Sequence, residues 1–228
     1  MKNHEESKYR FPENYECYNI HNQQLILFPE KCIFWVEEKV LILADLHLGK
    51  AGHFRKSGIP IPSYIHLEEL EKLARLIRIL KPKKLLILGD LFHSEVNNEW
   101  NYFDAFLQKF PTLEVNLVLG NHDTYAIDFI PKKVRIFMEN LVMGKFIFSH
   151  IPLKTDQLTA GLYNLCGHIH PSAKLQGNGK QSVNLPCFFF GERMGILPAY
   201  GFFTGRHSIR PTYKDDVFVI AGGKVLKA

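Results

Sequence analysis

Residues 41–50 read LILADLHLGK: an aliphatic run that breaks off at a carboxylate, Asp45, and an imidazole, His47, with one leucine between them. The continuous apolar stretch VLILA over 40–44 has the pattern of a strand buried on both faces. Polar side chains placed just past such a strand belong to the edge of a sheet. The same figure recurs along the chain. KLLIL (84–88) ends in Gly89 and Asp90, EVNLVL (114–119) in Gly120, Asn121, His122 and Asp123, KFIF (145–148) in Ser149 and His150, and YNLC (163–166) in Gly167, His168 and His170. In a parallel or mixed α/β sheet the carboxyl ends of the strands gather along one edge, where ligands bind. Residues far apart in sequence converge there.

The rest of the chain supports that frame. QLILF and CIFWV, separated by the turn-like PEK, precede VLILA as two short strands of a meander. From Ser63 the period changes: Ile65, Leu70, Leu73, Ala74, Ile77 and Leu80 recur at helical spacing, with glutamates early, basic residues late, and Pro82 blocking continuation. NEWNYFDAFLQKF (98–110) puts Trp100, Phe103, Phe106 and Phe110 on one helical face, and SVNLPCFFF (182–190) and DVFVIAGG (216–223) supply later strands. The aromatics Phe188, Phe189 and Phe190 either stack bases or alternate between the two faces of a strand; alternation is the expectation. Without an internal repeat or a linker, the chain reads as a polar N-terminal extension over 1–20 and a single domain over 21–228.

Composition excludes more than it selects. With 46% hydrophobic residues in 228 the chain supports one sizeable core, and its apolar runs are far shorter than the ~20 residues a membrane helix needs. No membrane partner is expected. The polar start, MKNHEESKYRFPENYE, lacks the apolar region of a signal peptide, so a cytoplasmic location is expected. Cys17, Cys32, Cys166 and Cys187 are widely spaced, which suggests reduced thiols rather than a zinc knuckle or disulfides. A net charge of +5 suits a polyanionic partner but is ordinary for a soluble domain, whereas eleven histidines point to metal or acid–base chemistry.

Carboxylate, imidazole and amide oxygen together suit two adjacent divalent cations such as Mn, Fe or Zn, and argue against a thiolate cluster. Two ions about 3.5–4 Å apart polarise one phosphoryl group and share a hydroxide that attacks it in line. Asp90, alone on its strand end, is the natural bridging carboxylate. His122, between Asn121 and Asp123, is the expected general acid for the leaving oxygen, with Asp123 expected to orient its ring. Each block alone has a plainer reading as a turn or cap. The ordered set D-x-H, G-D, G-N-H-D, S-H and G-H-x-H, each after an apolar run, does not.

This set resembles the dinuclear signature of the calcineurin-like metallophosphoesterase superfamily, block for block. The resemblance implies one metal held by Asp45, His47 and His170, the other by Asn121, His150 and His168, and Asp90 between them. It also implies an α/β fold of two mixed sheets packed as a β-sandwich and flanked by helices in four layers. A narrower resemblance runs over nearly all of the chain after about residue 20. ADLHLGKAGHFRKSGIPIP (44–62), LGDLFHS (88–94) and LPAYGFFTG (197–205) are similar to the bacterial and archaeal ligase-associated DNA damage response endonucleases, the phosphoesterase PdeM subfamily. This narrower resemblance implies a metal-dependent phosphoesterase, a DNA endonuclease of DNA repair, with DNA as substrate and a ligase and a helicase of the same repair system as partners. Manganese is the expected ion for activity, with Fe, Zn or Mg as alternatives.

Around the site, Lys50, His53 and Arg55 come after the first pair in a glycine-containing loop, where their cations suit a substrate phosphate or simply face solvent. His93, three residues past Asp90, is a candidate to touch substrate or support a ligand. Two other functions share these residues: a phosphodiesterase or phosphatase for cyclic or other small nucleotides, and a non-catalytic scaffold of the same fold. Since no ligand position and no acid histidine is missing, the scaffold ranks last.

Overall fold

A computed structural model of the chain describes residues 12–56, 58, 60, 62, 65–93, 99–176 and 181–228. The first sheet runs in the order β1 (Glu16–Ile20), β2 (Gln23–Phe28), β3 (Cys32–Trp35), β4 (Val40–Ala44), β5 (Lys84–Leu88), β6 (Glu114–Val118), β7 (Val134–Phe137). The strands β2 to β4 form the expected meander, β1 extends it antiparallel by one strand, and β4 to β7 are parallel. The strand β1 lies inside the stretch assigned to a polar extension, and it pairs with β2 along its whole length.

The second sheet contains β8 (Leu141–Met143), β9 (Phe146–Ser149), β10 (Tyr163–Cys166), β11 (Pro171–Gln176), β12 (Ser182–Phe190), β13 (Met194–Ile196), β14 (His207–Ser208), β15 (Asp216–Ala221) and β16 (Lys224–Lys227). Here β9, β10 and β13 are parallel neighbours and most other pairs are antiparallel.

Alternation along the buried strands explains their unbroken apolarity. Leu41, Leu43, Leu85, Ile87, Val115 and Leu117 face a core shared with the helices, while Val40, Ile42, Ala44, Leu86, Leu88 and Val118 face a second core. That second core contains Phe146, Phe148, Leu165, Phe188 and Phe190 from the opposing sheet. A strand covered on both faces needs apolar residues at every position. Phe189 turns away from Phe188 and Phe190 into a small outer cluster, so these aromatics alternate within the fold rather than stand free for stacking.

The helices are α1 (Lys50–Lys56), α2 (Ile65–Leu80) and α3 (Glu99–Gln108). The stripe of α2 (Leu70, Leu73, Ala74, Ile77, Leu80) and Trp100, Phe103 and Phe106 of α3 are buried on the first sheet. Lys81 ends α2 in the left-handed conformation (φ 47°), and Pro82 prevents another turn. The helices α2 and α3 pack on the first sheet, and the outer face of the second carries the small cluster of Ala173, Cys187, Val217 and Val219. No helix among the described residues is long and apolar enough to cross a membrane. The four cysteines are free thiols, three of them buried.

Candidate metal centre

The parallel strands β4, β5 and β6 lie side by side, as do β9 and β10 in the facing sheet, so their carboxyl ends meet at one edge of the sandwich. The pairing continues past the strands: Asp45 and His47 donate main-chain N–H groups to Gly89 and Asp90 (3.2 and 2.9 Å), and Gly167 donates to His150 (3.0 Å). Two clusters result, Asp45–His47–His170 and Asp90–His150–His168, within each of which one donor atom per residue lies within 4.8 Å of the others. Asn121 joins the second, its Oδ1 2.9 Å from His150 Nε2. Asp90 touches both, with Oδ2 3.8 Å from His47 Nε2 and Oδ1 3.5 Å from His150 Nε2.

Close approach in this cluster requires the glycines of the motifs. A Cβ on Gly89 would fall 2.2 Å from His150 Nδ1, and one on Gly120 would fall 2.2 Å from the main-chain nitrogen of Asp90. Five of the seven gathered residues also have left-handed backbones: Asp45 (φ 54°), His47 (50°), Asp90 (49°), His168 (68°) and His170 (51°). Asp and His tolerate that region better than most residues, yet each still costs on the order of 1 kcal/mol. Strain of this kind concentrates at functional sites.

The protonation pattern shows that the cluster fits cations. His150 Nδ1 donates to the carbonyl of Leu88 (3.0 Å) and His170 Nδ1 to that of Gly205 (3.1 Å), which leaves a lone pair on each Nε2. Those lone pairs converge with other ligand-type atoms: Asn121 Oδ1, Asp90 and His168 Nδ1 (3.0 Å) around His150, and Asp45 Oδ1 (3.5 Å) and His47 Nε2 (3.4 Å) around His170. Carboxylate, amide and imidazole atoms gathered in this way suit divalent cations. Burial above all, then Lys50 and the rings of His170, His93 and His122, pushes His47 down to about 2, so its imidazole is neutral and able to ligate. Asp45 and Asp90 are carboxylates with 0% and 3% exposure, a placement that divalent cations make tenable.

His122 lies just outside both groups. It is half-buried, its ring 5.6 Å from that of His47 and 5.2 Å from that of His93, and its main-chain N–H donates to Asp90 Oδ1 (3.0 Å). The ring of His93 lies 5.2 Å from that of His47. Lys50 is there as well; burial lowers its pKa and the nearby Asp90 pulls it back up. The glycine-containing loop expected around Lys50 is instead the helix α1, entered through Gly49 (φ 93°) and anchored by buried Ala51. Arg55 sits half-buried on α1; the side chains of His53 and Lys56 lie outside the described residues.

Asp123 has a different part from the one expected. Fully buried, it accepts the main-chain N–H groups of Phe92 (3.1 Å) and Gly120 (2.9 Å), so both oxygens brace loops rather than the His122 ring. Burial pushes its carboxyl up to about 6, against the lowering pull of the two amides. Asp123→Asn would set an amide group against one of those donors and is expected to cost about 2 kcal/mol in urea unfolding of metal-free protein. Lost activity with unchanged stability would return Asp123 to the proton chemistry.

The carbonyls of Leu88 and Gly205, which fix the two histidine tautomers, have no side-chain signature and were not foreseeable from residue types. The glycines were a usable signal, since each G in the motifs marks room for a residue from another block.

Comparison with known proteins gives the same outline. The sequence pattern of the calcineurin-like phosphoesterase family matches residues 38–192. Among solved structures, Pseudomonas putida nuclease MPE is 30% identical, with 94% of this chain and 100% of that chain covered and a TM-score of 0.79. The E. coli phosphoesterase YfcE is 13% identical (83% and 97% covered, TM-score 0.45), and a predicted phosphoesterase from Streptococcus pneumoniae TIGR4 is 14% identical (83% and 95%, TM-score 0.33). No curated protein matches the chain significantly.

Proposed function

This chain belongs to the calcineurin-like phosphoesterase family, whose members are metal-dependent hydrolases, and on that footing we propose that it is a dinuclear phosphodiesterase that cuts DNA, an endonuclease of DNA repair. The observation that carries the reading is the pair of donor clusters joined through Asp90, in a chain similar over 94% of its length to a nuclease.

In this proposal Asp45, His47 and His170 hold one divalent ion, Asn121, His150 and His168 the other, and Asp90 both. When bound, two such ions polarise a phosphoryl oxygen and make water a nucleophile at neutral pH. The remaining work falls to the chain. His122 protonates the leaving oxygen as general acid, held by its main-chain bond to Asp90 at a fixed place beside the centre. His93, next to it, contacts the phosphodiester, and Lys50, half-buried with Asp90 in its field, neutralises a phosphate oxygen. Arg55 and His53, which follow Lys50 in the sequence, are the further substrate-binding residues of this proposal. Manganese is the proposed ion, and a ligase and a helicase of the same repair system are the proposed partners.

The test is one panel: purified protein with Mn, given linear and circular single-stranded DNA, a cyclic nucleotide and a generic diester. Cleavage of circles is the expected result, since circles have no ends for an exonuclease. DNA affinity should also fall steeply with salt, by a log–log slope of about 0.7 for each phosphate neutralised on a single strand. Efficient hydrolysis of the cyclic nucleotide with single-stranded, nicked and gapped DNA left intact would replace this reading with a small-nucleotide phosphodiesterase.

A further inference from the structure

A groove of about 260 Å³ opens directly beside the second donor cluster, with Asn121 and His150 in its wall. Its lining also includes Met138 and Ile151, which are 65% and 52% exposed, large apolar side chains left in solvent at the rim of a polar centre. Both positions result from the fold: Met138 leaves the end of β7, and Ile151 comes one residue after His150 at the end of β9. Glu139 and Asn140 complete the rim, and no lysine or arginine is among the described lining residues.

We infer that this groove is a nucleoside subsite: it receives the sugar and base attached to the phosphate undergoing hydrolysis, with the base against Met138 and Ile151. The inference deepens the phosphodiesterase reading and rests on it. Three observations select the ligand class. The groove shares Asn121 and His150 with the centre, so a group esterified to the reacting phosphate lies within its reach. A rim whose one carboxylate is unmatched by a lysine or arginine repels a second phosphate, while Glu139 and Asn140 offer acceptors and a donor for a base N–H or a sugar hydroxyl. A thioether and a branched alkyl side chain pack on the flat face of a heteroaromatic ring, a contact that tolerates any base. The cation Lys50, by contrast, lines a separate hollow beside His47 at the other cluster. Phosphate-binding charge and nucleoside-binding surface are therefore on different flanks.

The experiment compares three nitrophenyl diesters with manganese: methyl 4-nitrophenyl phosphate and the 4-nitrophenyl esters of thymidine 3′- and 5′-phosphate. The subsite predicts that wild-type kcat/KM on at least one thymidine diester exceeds that on the methyl diester by about tenfold, mostly through KM. Met138→Asp and Ile151→Asp should each cut that ratio by about tenfold, and the isomer preferred shows which side of the phosphate the groove serves. Both positions are exposed, so the variants fold; a melting curve verifies it. A wild-type ratio near one for both isomers, or a ratio that neither substitution moves, overturns the subsite while leaving the phosphodiesterase reading intact. No turnover of any of the three diesters overturns both.

Discussion

Asp90→Ala is expected to cut hydrolysis of a nitrophenyl diester by about 10⁴-fold, even in excess manganese, because it removes a carboxylate of the second donor cluster that also reaches His47 of the first. Its two oxygens divide between the clusters, Oδ2 toward His47 and Oδ1 toward His150. Oδ1 also accepts the main-chain N–H of His122, so the same substitution releases the proposed acid from that hydrogen bond. Substitution at Asn121, exposed at the outer side of one cluster, should do less. An Asp90→Ala protein that folds, as judged by its circular dichroism, and retains a tenth or more of wild-type activity would show that Asp90 does not join the two clusters.

His122→Ala should separate metal binding from proton transfer. The ring lies outside both donor clusters, so metal content is expected to persist while the rate on DNA falls about 10²–10⁴-fold, the range for a positioned general acid. A nitrophenolate leaves without needing a proton, so the loss on a nitrophenyl diester should be much smaller. If His122 only positions substrate, the two losses will be equal. His93, whose ring is 5.2 Å from that of His122, is the control: its substitution should depress both substrates alike.

Much of this cluster was legible because its donor side chains sit next to the strands that carry them. An unbroken run such as VLILA or KLLIL signals a strand buried on both faces, and the residue after it must then lie at the sheet edge. Asp45, Asp90 and His150 were readable for that reason. The charge gradient and apolar spacing of residues 65–80 likewise matched α2 from Ile65 to Leu80.

What escaped depends on contacts that sequence adjacency hides. Asp123 neighbours His122 in the chain, yet its carboxylate reaches back 31 positions to the amide of Phe92. The helix α1 spans seven residues, too few for a period to show, and Gly49 and Gly52 disguise it as a loop. The strand β1, ECYNI, is only partly buried and so lacks the apolar run that marks the central strands. The Met138–Asn140 turn, which walls the groove, joins two short strands, β7 and β8, of mostly half-buried or exposed residues that carry no strong pattern.

Two divalent ions per chain, held in neighbouring sites that both depend on Asp90, are the expectation on which the proposed chemistry rests. Titration of metal-free protein with manganese, followed by elemental analysis of the desalted complex, measures it. Two ions per chain are expected, with neither site intact in Asp90→Ala. One ion per chain in fully active wild-type protein would contradict it.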